Sequence, residues 1–241
     1  MEQLKLALGP YELFAAIVGG LLLLLGCLLL YNPMASLQEF VPLIQANVSA
    51  AIALTMLLIS YILGSTFSGL TWRYFLRLCA LFRQDYRYFG NLLVERRKSL
   101  NLDAIKLSEL DFEDRLVALL AQKIGLPEKS SWLDAQLMVY LRSHNPACLI
   151  TAECYQATHI ICRNLSFGLV WIALIWLINI FRVSALTLEQ LLVLLAALGL
   201  AYATFTRAVT FKRWHNREIL LGFYFTVDRS TEGPSSSVVH R

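Results

Sequence analysis

Four stretches of this chain carry no charged residue: Leu13 to Gln38, Val41 to Trp72, Asn164 to Phe181 and Gln190 to Thr206. A helix of roughly 20 apolar residues crosses the hydrocarbon core of a bilayer, so each stretch is long enough to span. No lipid-exposed alternative to the helix satisfies its backbone hydrogen bonds there, short of a closed barrel. With 57% apolar residues over 241 positions and a mean hydropathy of +0.57, the chain is more hydrophobic than an ordinary soluble domain.

Charge decides the orientation. The net charge of +4 is modest, but of the 21 Lys and Arg residues all except Arg182 fall before the first stretch, between the second and third, or after the fourth. The excess of Lys and Arg marks the cytoplasmic side. Both termini and the long central segment are therefore expected inside, with the two short loops outside. A bacterial inner membrane is the expected location.

The first stretch runs on through Cys27 into Leu28, Leu29, Leu30 and Tyr31, further than a cleavable signal's apolar core, so it is expected to remain as a span. Asn47-Val48-Ser49 matches the glycosylation triplet but abuts the second span and is read as a loop end. Cys79, Cys148, Cys154 and Cys162 fall on the reducing side and Cys27 in lipid, so no disulfide framework is expected.

The predicted fold is all-α: a four-span integral membrane protein of two helical hairpins, with transmembrane helices extended into a cytoplasmic helical bundle. The first hairpin occupies 1–71 with spans at about 12–31 and 48–70, and a cytoplasmic helical domain occupies 72–163. The second hairpin occupies 164–206 with spans at about 164–183 and 188–206, followed by a cytoplasmic helix over 207–227 and a disordered tail over 228–241. A proline-free run lets the second span continue toward Lys98, and Asn145-Pro146 supplies a cap and first turn for a helix reaching Phe181. The first outer loop, with Pro33 and Pro42, has room for a short interfacial helix. Two shorter helices are expected in the central domain. One is capped near Ser108 to Asp111, shows an apolar face of Leu116, Val117, Leu120 and Ile124, and ends at Gly125 and Pro127. The other opens at Ser131 with Leu133, Leu137, Tyr140 and Leu141 on one face.

No phosphate loop, dinucleotide fingerprint, zinc-protease pair or nucleophile elbow is present. The acids Glu109, Asp111, Glu113 and Asp114 suit a helix start. His159 and Cys162 share a helix face, but Cys148 lies too far along it to complete a tetrahedral site. No catalytic residue, metal or cofactor is expected, and the protein is not expected to be an enzyme. An ion-coupled carrier keeps ionisable groups within its spans, and the four charge-free stretches hold no Asp, Glu, His, Lys or Arg.

Two constellations remain. Ser60, Gly64 and Ser68 recur every fourth residue on the second span, and Gly19 and Gly20 fall at the same spacing from Ala15 and Ala16 on the first. Such small residues let helices approach closely, within one chain or between copies. A basic and aromatic collar contains Arg73, Arg77, Arg83 and Arg87 with Lys212, Arg213 and Arg217, suited to anionic headgroups or an anionic ligand. Membrane lipids and further copies of the chain are the expected partners, alongside a cytosolic protein or small anionic ligand; nucleic acid is not expected. The function expected from this plan is non-enzymatic. An oligomer would form a pore or perturb the membrane under control of its inner bundle, for example in bacterial defence. The alternative is an anchor or scaffold that recruits a soluble partner.

Overall fold

In the computed structural model, 10–33, 49–87, 111–125, 130–183 and 187–231 are described. Of these residues 92% are helical and none is in a strand. The helices are α1 (Pro10–Tyr31), α2 (Ala50–Leu81), α3 (Phe112–Lys123), α4 (Ser130–His144), α5 (Pro146–Val183) and α6 (Leu188–Thr231). Four of them, α1, α2, α5 and α6, are long and apolar enough to cross a membrane, and the chain is read as an integral membrane protein. The proposed interfacial helix before Asn47 lies outside the described residues.

The chain forms two compact units, one from Met1–Gln84 with Gln156–Phe211 and one from Asp85–Tyr155 with Lys212–Arg241. Helices α5 and α6 contribute residues to both.

In the first unit, α1 and α2 run antiparallel and touch backbone to backbone. A Cβ on Gly20 would stand 1.7 Å from the Ser60 carbonyl oxygen, and one on Gly64 would stand 1.9 Å from that of Ala16. Only glycine permits this approach. Helix α5 runs parallel to α1 and is pinned to it at two levels. Asn164 Nδ2 donates to the Ala15 carbonyl at 3.2 Å, and Asn179 Nδ2 donates to that of Leu29 at 2.9 Å. Fifteen residues of α5 separate these asparagines, about 22 Å of rise, which is most of a hydrocarbon core. Between them a Cβ on Gly168 would meet the Leu22 side chain, and one on Gly26 would meet Trp171. Helix α6 lies antiparallel to α5, joined where Ser166 Oγ donates to the Ala201 carbonyl and His159 Nδ1 donates to that of Ala208.

The second unit has a separate apolar core of Leu116, Leu120, Leu137, Leu141, Ile219 and Phe223, with neighbours from α3, α4, α5 and α6. The apolar faces predicted for the two short helices point into it. Helix α3 is capped by Asp111, whose side chain makes no cap hydrogen bond, and Gly125 ends it at φ 77°. At the start of α5, Asn145 Oδ1 accepts from the Cys148 N–H at 3.2 Å, as its sequence position implies.

Two expectations are corrected. Helix α2 does not continue toward Lys98 but closes at Leu81 in a Schellman motif. The Gln84 N–H donates to the Cys79 carbonyl, and the Arg83 N–H donates to that of Ala80. Arg83 takes the left-handed position at φ 51°, where glycine is usual, so no composition signal marked the stop. Helix α6 reaches Thr231, so the first four positions assigned to a disordered tail are helical; the rest of that tail lies outside the described residues.

Candidate functional site

The seven basic residues singled out by sequence are divided between the units. In the first, Arg73, Arg77 and Arg83 are exposed. In the second, Arg87 and Arg217 are exposed, and the Arg87 guanidinium lies 5.4 Å from the Tyr86 ring centre with its Nε donating to Tyr86 Oη. Two more of the seven make contacts within the fold. Lys212 is buried with its Nζ 3.8 Å from Asp134 Oδ2, and Arg213 Nε donates to the Asp85 carbonyl. Asn216 Nδ2 also donates to the Tyr86 carbonyl at 3.1 Å, so 85–86 is held along α6. Partial burial raises the Asp134 carboxyl above its ordinary range, opposed by the charges of Lys212 and Arg87.

The small residues lie within the first unit. Gly20, Ser60 and Gly64 make the α1–α2 crossing, and a Cβ on Gly19 would press on Asn164 at 2.8 Å. Ser68 is half-buried, with its carbonyl accepting from Thr71 Oγ1. Gly64 and Gly20 are thus occupied inside one chain, and Ser60 Oγ is buried without a hydrogen-bond partner.

A polar layer in the same unit was not legible in the sequence. Thr71 Oγ1 donates to Asn164 Oδ1 at 2.9 Å, and Tyr74 Oη donates to Ser166 Oγ at 3.0 Å. Phe75 stacks edge-on against His159, with ring centres 4.9 Å apart. Arg163, assigned by sequence to the basic central segment, is 6% exposed, and its guanidinium lies 5.5 Å from the Trp72 ring centre. That cation–π contact is the charge compensation available to it among the described residues, and desolvation makes such a contact strong. Each of these side chains looks like an isolated polar residue in one dimension. Only the packing of α2, α5 and α6 collects them at one level.

The second unit holds a cavity of about 1020 Å³ whose walls come from α3, α4, α5 and α6. It is lined by Glu218, Cys148, Tyr140, His144, Lys123 and Phe225, among others. Tyr140 and His144, one turn apart on α4, stack with ring centres 4.2 Å apart and planes at 9°. Cys148 Sγ lies 3.4 Å from the Glu218 carbonyl oxygen and 3.8 Å from its carboxylate Oε1. Gly222 lets α5 approach here, since a Cβ on it would stand 2.2 Å from Cys148 Sγ. Sequence reasoning named none of these as site residues. The i, i+4 spacing of Tyr140 and His144 was a weak signal, but nothing linked them to Glu218 across 74 positions of chain.

No group of His, Cys, Asp and Glu among the described residues is arranged to hold a metal ion, and the cysteines there are free thiols. At the cavity His144 Nδ1 lies 2.7 Å from Ser143 Oγ and 2.9 Å from the Tyr140 carbonyl oxygen, which also accepts from Ser143 Oγ. The cavity thus brings together aromatic faces, a carboxylate and a serine–histidine contact. Protein-family models, curated proteins and solved structures returned no match to this chain.

Proposed function

We propose that the protein is a non-enzymatic membrane effector whose second unit is cytoplasmic and receives a cytosolic ligand or protein. Its four spans then respond by associating with further copies to open a pore or perturb the membrane. The observation that carries this reading is the 1020 Å³ cavity of the second unit. Its walls include α5 and α6, the same helices that supply spans three and four, so occupancy has a covalent route to the membrane segments. The one-sided distribution of Lys and Arg supports a cytoplasmic placement for both termini and for this unit. Because Gly20 and Gly64 are engaged between α1 and α2 of one chain, self-association is assigned instead to exposed apolar residues. Leu54, Leu58 and Ile62 on α2 and Leu192 and Leu195 on α6 are such residues.

The second reading, an anchor that recruits a soluble partner, is favoured by the tight closure of the first unit, where backbone contact leaves no room for a path between α1 and α2. Reconstitution separates the two. An effector releases ions from liposomes in a manner that rises steeply with protein density. An anchor gives no flux at any density, and that result would remove the pore reading.

A further inference from the structure

We infer that the cavity of the second unit is a site for an organic cation, a ligand bearing an ammonium group, with Glu218 as its counter-charge. The inference rests on the reading above that this unit binds a cytosolic ligand, and it names the chemistry of that ligand. Among the described residues Glu218 forms no ion pair. Its carboxylate contact is the Cys148 thiol at 3.8 Å, a weak donor that leaves most of the acceptor capacity unused. A half-buried carboxylate at a cavity wall favours a ligand that brings a positive charge, because the anion is already partly desolvated and a cation there recovers Coulomb energy.

The aromatic side chains fit the same chemistry. The stacked pair of Tyr140 and His144, with Phe225, gives the cavity π faces, and such faces attract the polarised methyl and methylene groups around an ammonium nitrogen. Leu221 supplies apolar wall for the ligand body. An anion is disfavoured in comparison. Among the described residues no arginine lines the cavity, and the lysine there, Lys123, is exposed in the last turn of α3, where its charge answers the helix carbonyls. The basic residues predicted to hold an anionic ligand are not among the lining residues.

The test uses the full chain in a maltoside detergent free of choline lipids, with choline as probe and 3,3-dimethyl-1-butanol as its uncharged isostere. Choline is expected to raise the unfolding temperature saturably, and the alcohol to bind at least tenfold more weakly. E218Q should weaken choline at least tenfold, whereas E153Q, which alters a surface acid beside Arg142 outside the cavity, should leave it unchanged. Equal binding of choline and the alcohol, or an E218Q affinity within twofold of the parent, overturns the inference. If E218Q does not fold, the comparison of the two probes on the unaltered chain decides alone. Choline binding that depends on Glu218 without any ion flux from liposomes upholds the cation site and removes the effector reading. Flux combined with equal binding of the two probes does the reverse.

Discussion

Gly64→Ala is the sharpest test of the first unit. The added Cβ would stand 1.9 Å from the Ala16 carbonyl oxygen and 2.7 Å from its carbonyl carbon, whereas real Cβ atoms essentially never come within 3.0 Å of a neighbour. Both obstacles are backbone, so no rotamer change relieves them, and α1 and α2 must part by about 1 Å. A gap of that size forfeits a quarter to a half of each dispersion contact across the crossing. With roughly 40 atom pairs at about 0.15 kcal/mol each, the loss is about 2 kcal/mol, within the usual cost of overpacking. Gly69→Ala and Gly199→Ala are the controls, since a Cβ at either meets nothing within 4 Å. They share the helix-propensity gain of up to ~1 kcal/mol from removing glycine. Unfolding in mixed dodecyl maltoside and SDS micelles, followed by circular dichroism, should place Gly64→Ala about 2 kcal/mol below the controls. Because this contact lies within one chain, the particle mass in detergent should not change. If Gly64→Ala matches the controls within about 0.5 kcal/mol, the backbone crossing is not present in the folded protein. A halved mass instead would put the glycine at a contact between copies.

Other perturbations probe separate features. Arg83→Gly should stabilise by ~0.5–1 kcal/mol, because a left-handed residue at φ 51° bears a Cβ penalty that glycine lacks. Destabilisation in the same assay would show that the Arg83 side chain contributes more than its backbone costs. Asn164→Leu should cost about 1 kcal/mol and Asn179→Leu about half that, in line with hydrogen bonds between membrane helices. The first removes contacts to Thr71 and Ala15, the second one to Leu29; equal effects would refute the ranking. Asp134 tests the second unit through pH. Its folded carboxyl binds a proton more tightly than the unfolded chain does. Its contribution to stability is therefore fullest below the ordinary carboxylate value of 3.8 and falls as pH rises through the raised one. Melting curves of Asp134→Asn should lack that fall, and an unchanged pH profile would exclude Asp134 as its source.

Much of the helix pattern was written in the sequence because lipid imposes a one-dimensional rule. About 20 uncharged apolar residues make a span whatever packs beside it, and Asn145-Pro146 starts a helix through local hydrogen bonding alone. The periodic leucines of α3 and α4 likewise announced a buried face, and Leu116, Leu120, Leu137 and Leu141 fill the second core. The end of α2 was not legible, because Arg83 occupies a position whose usual marker is glycine.

What the tertiary structure alone decided is which residues meet. Small residues on the first two spans could serve one chain or several, and the α1–α2 crossing assigns Gly20 and Gly64 to one. Lys212 and Arg213 looked like members of an exposed collar; proximity to Asp134 and to the Asp85 carbonyl engages them within the fold. Arg163 counted as one more cytoplasmic cation until α2 and α5 closed over it and left the Trp72 ring as its compensation. The cavity joins Tyr140 to Glu218 only because α4 and α6 pack together. Burial and charge compensation depend on neighbours distant in the chain, and periodicity along one helix carries no information about them.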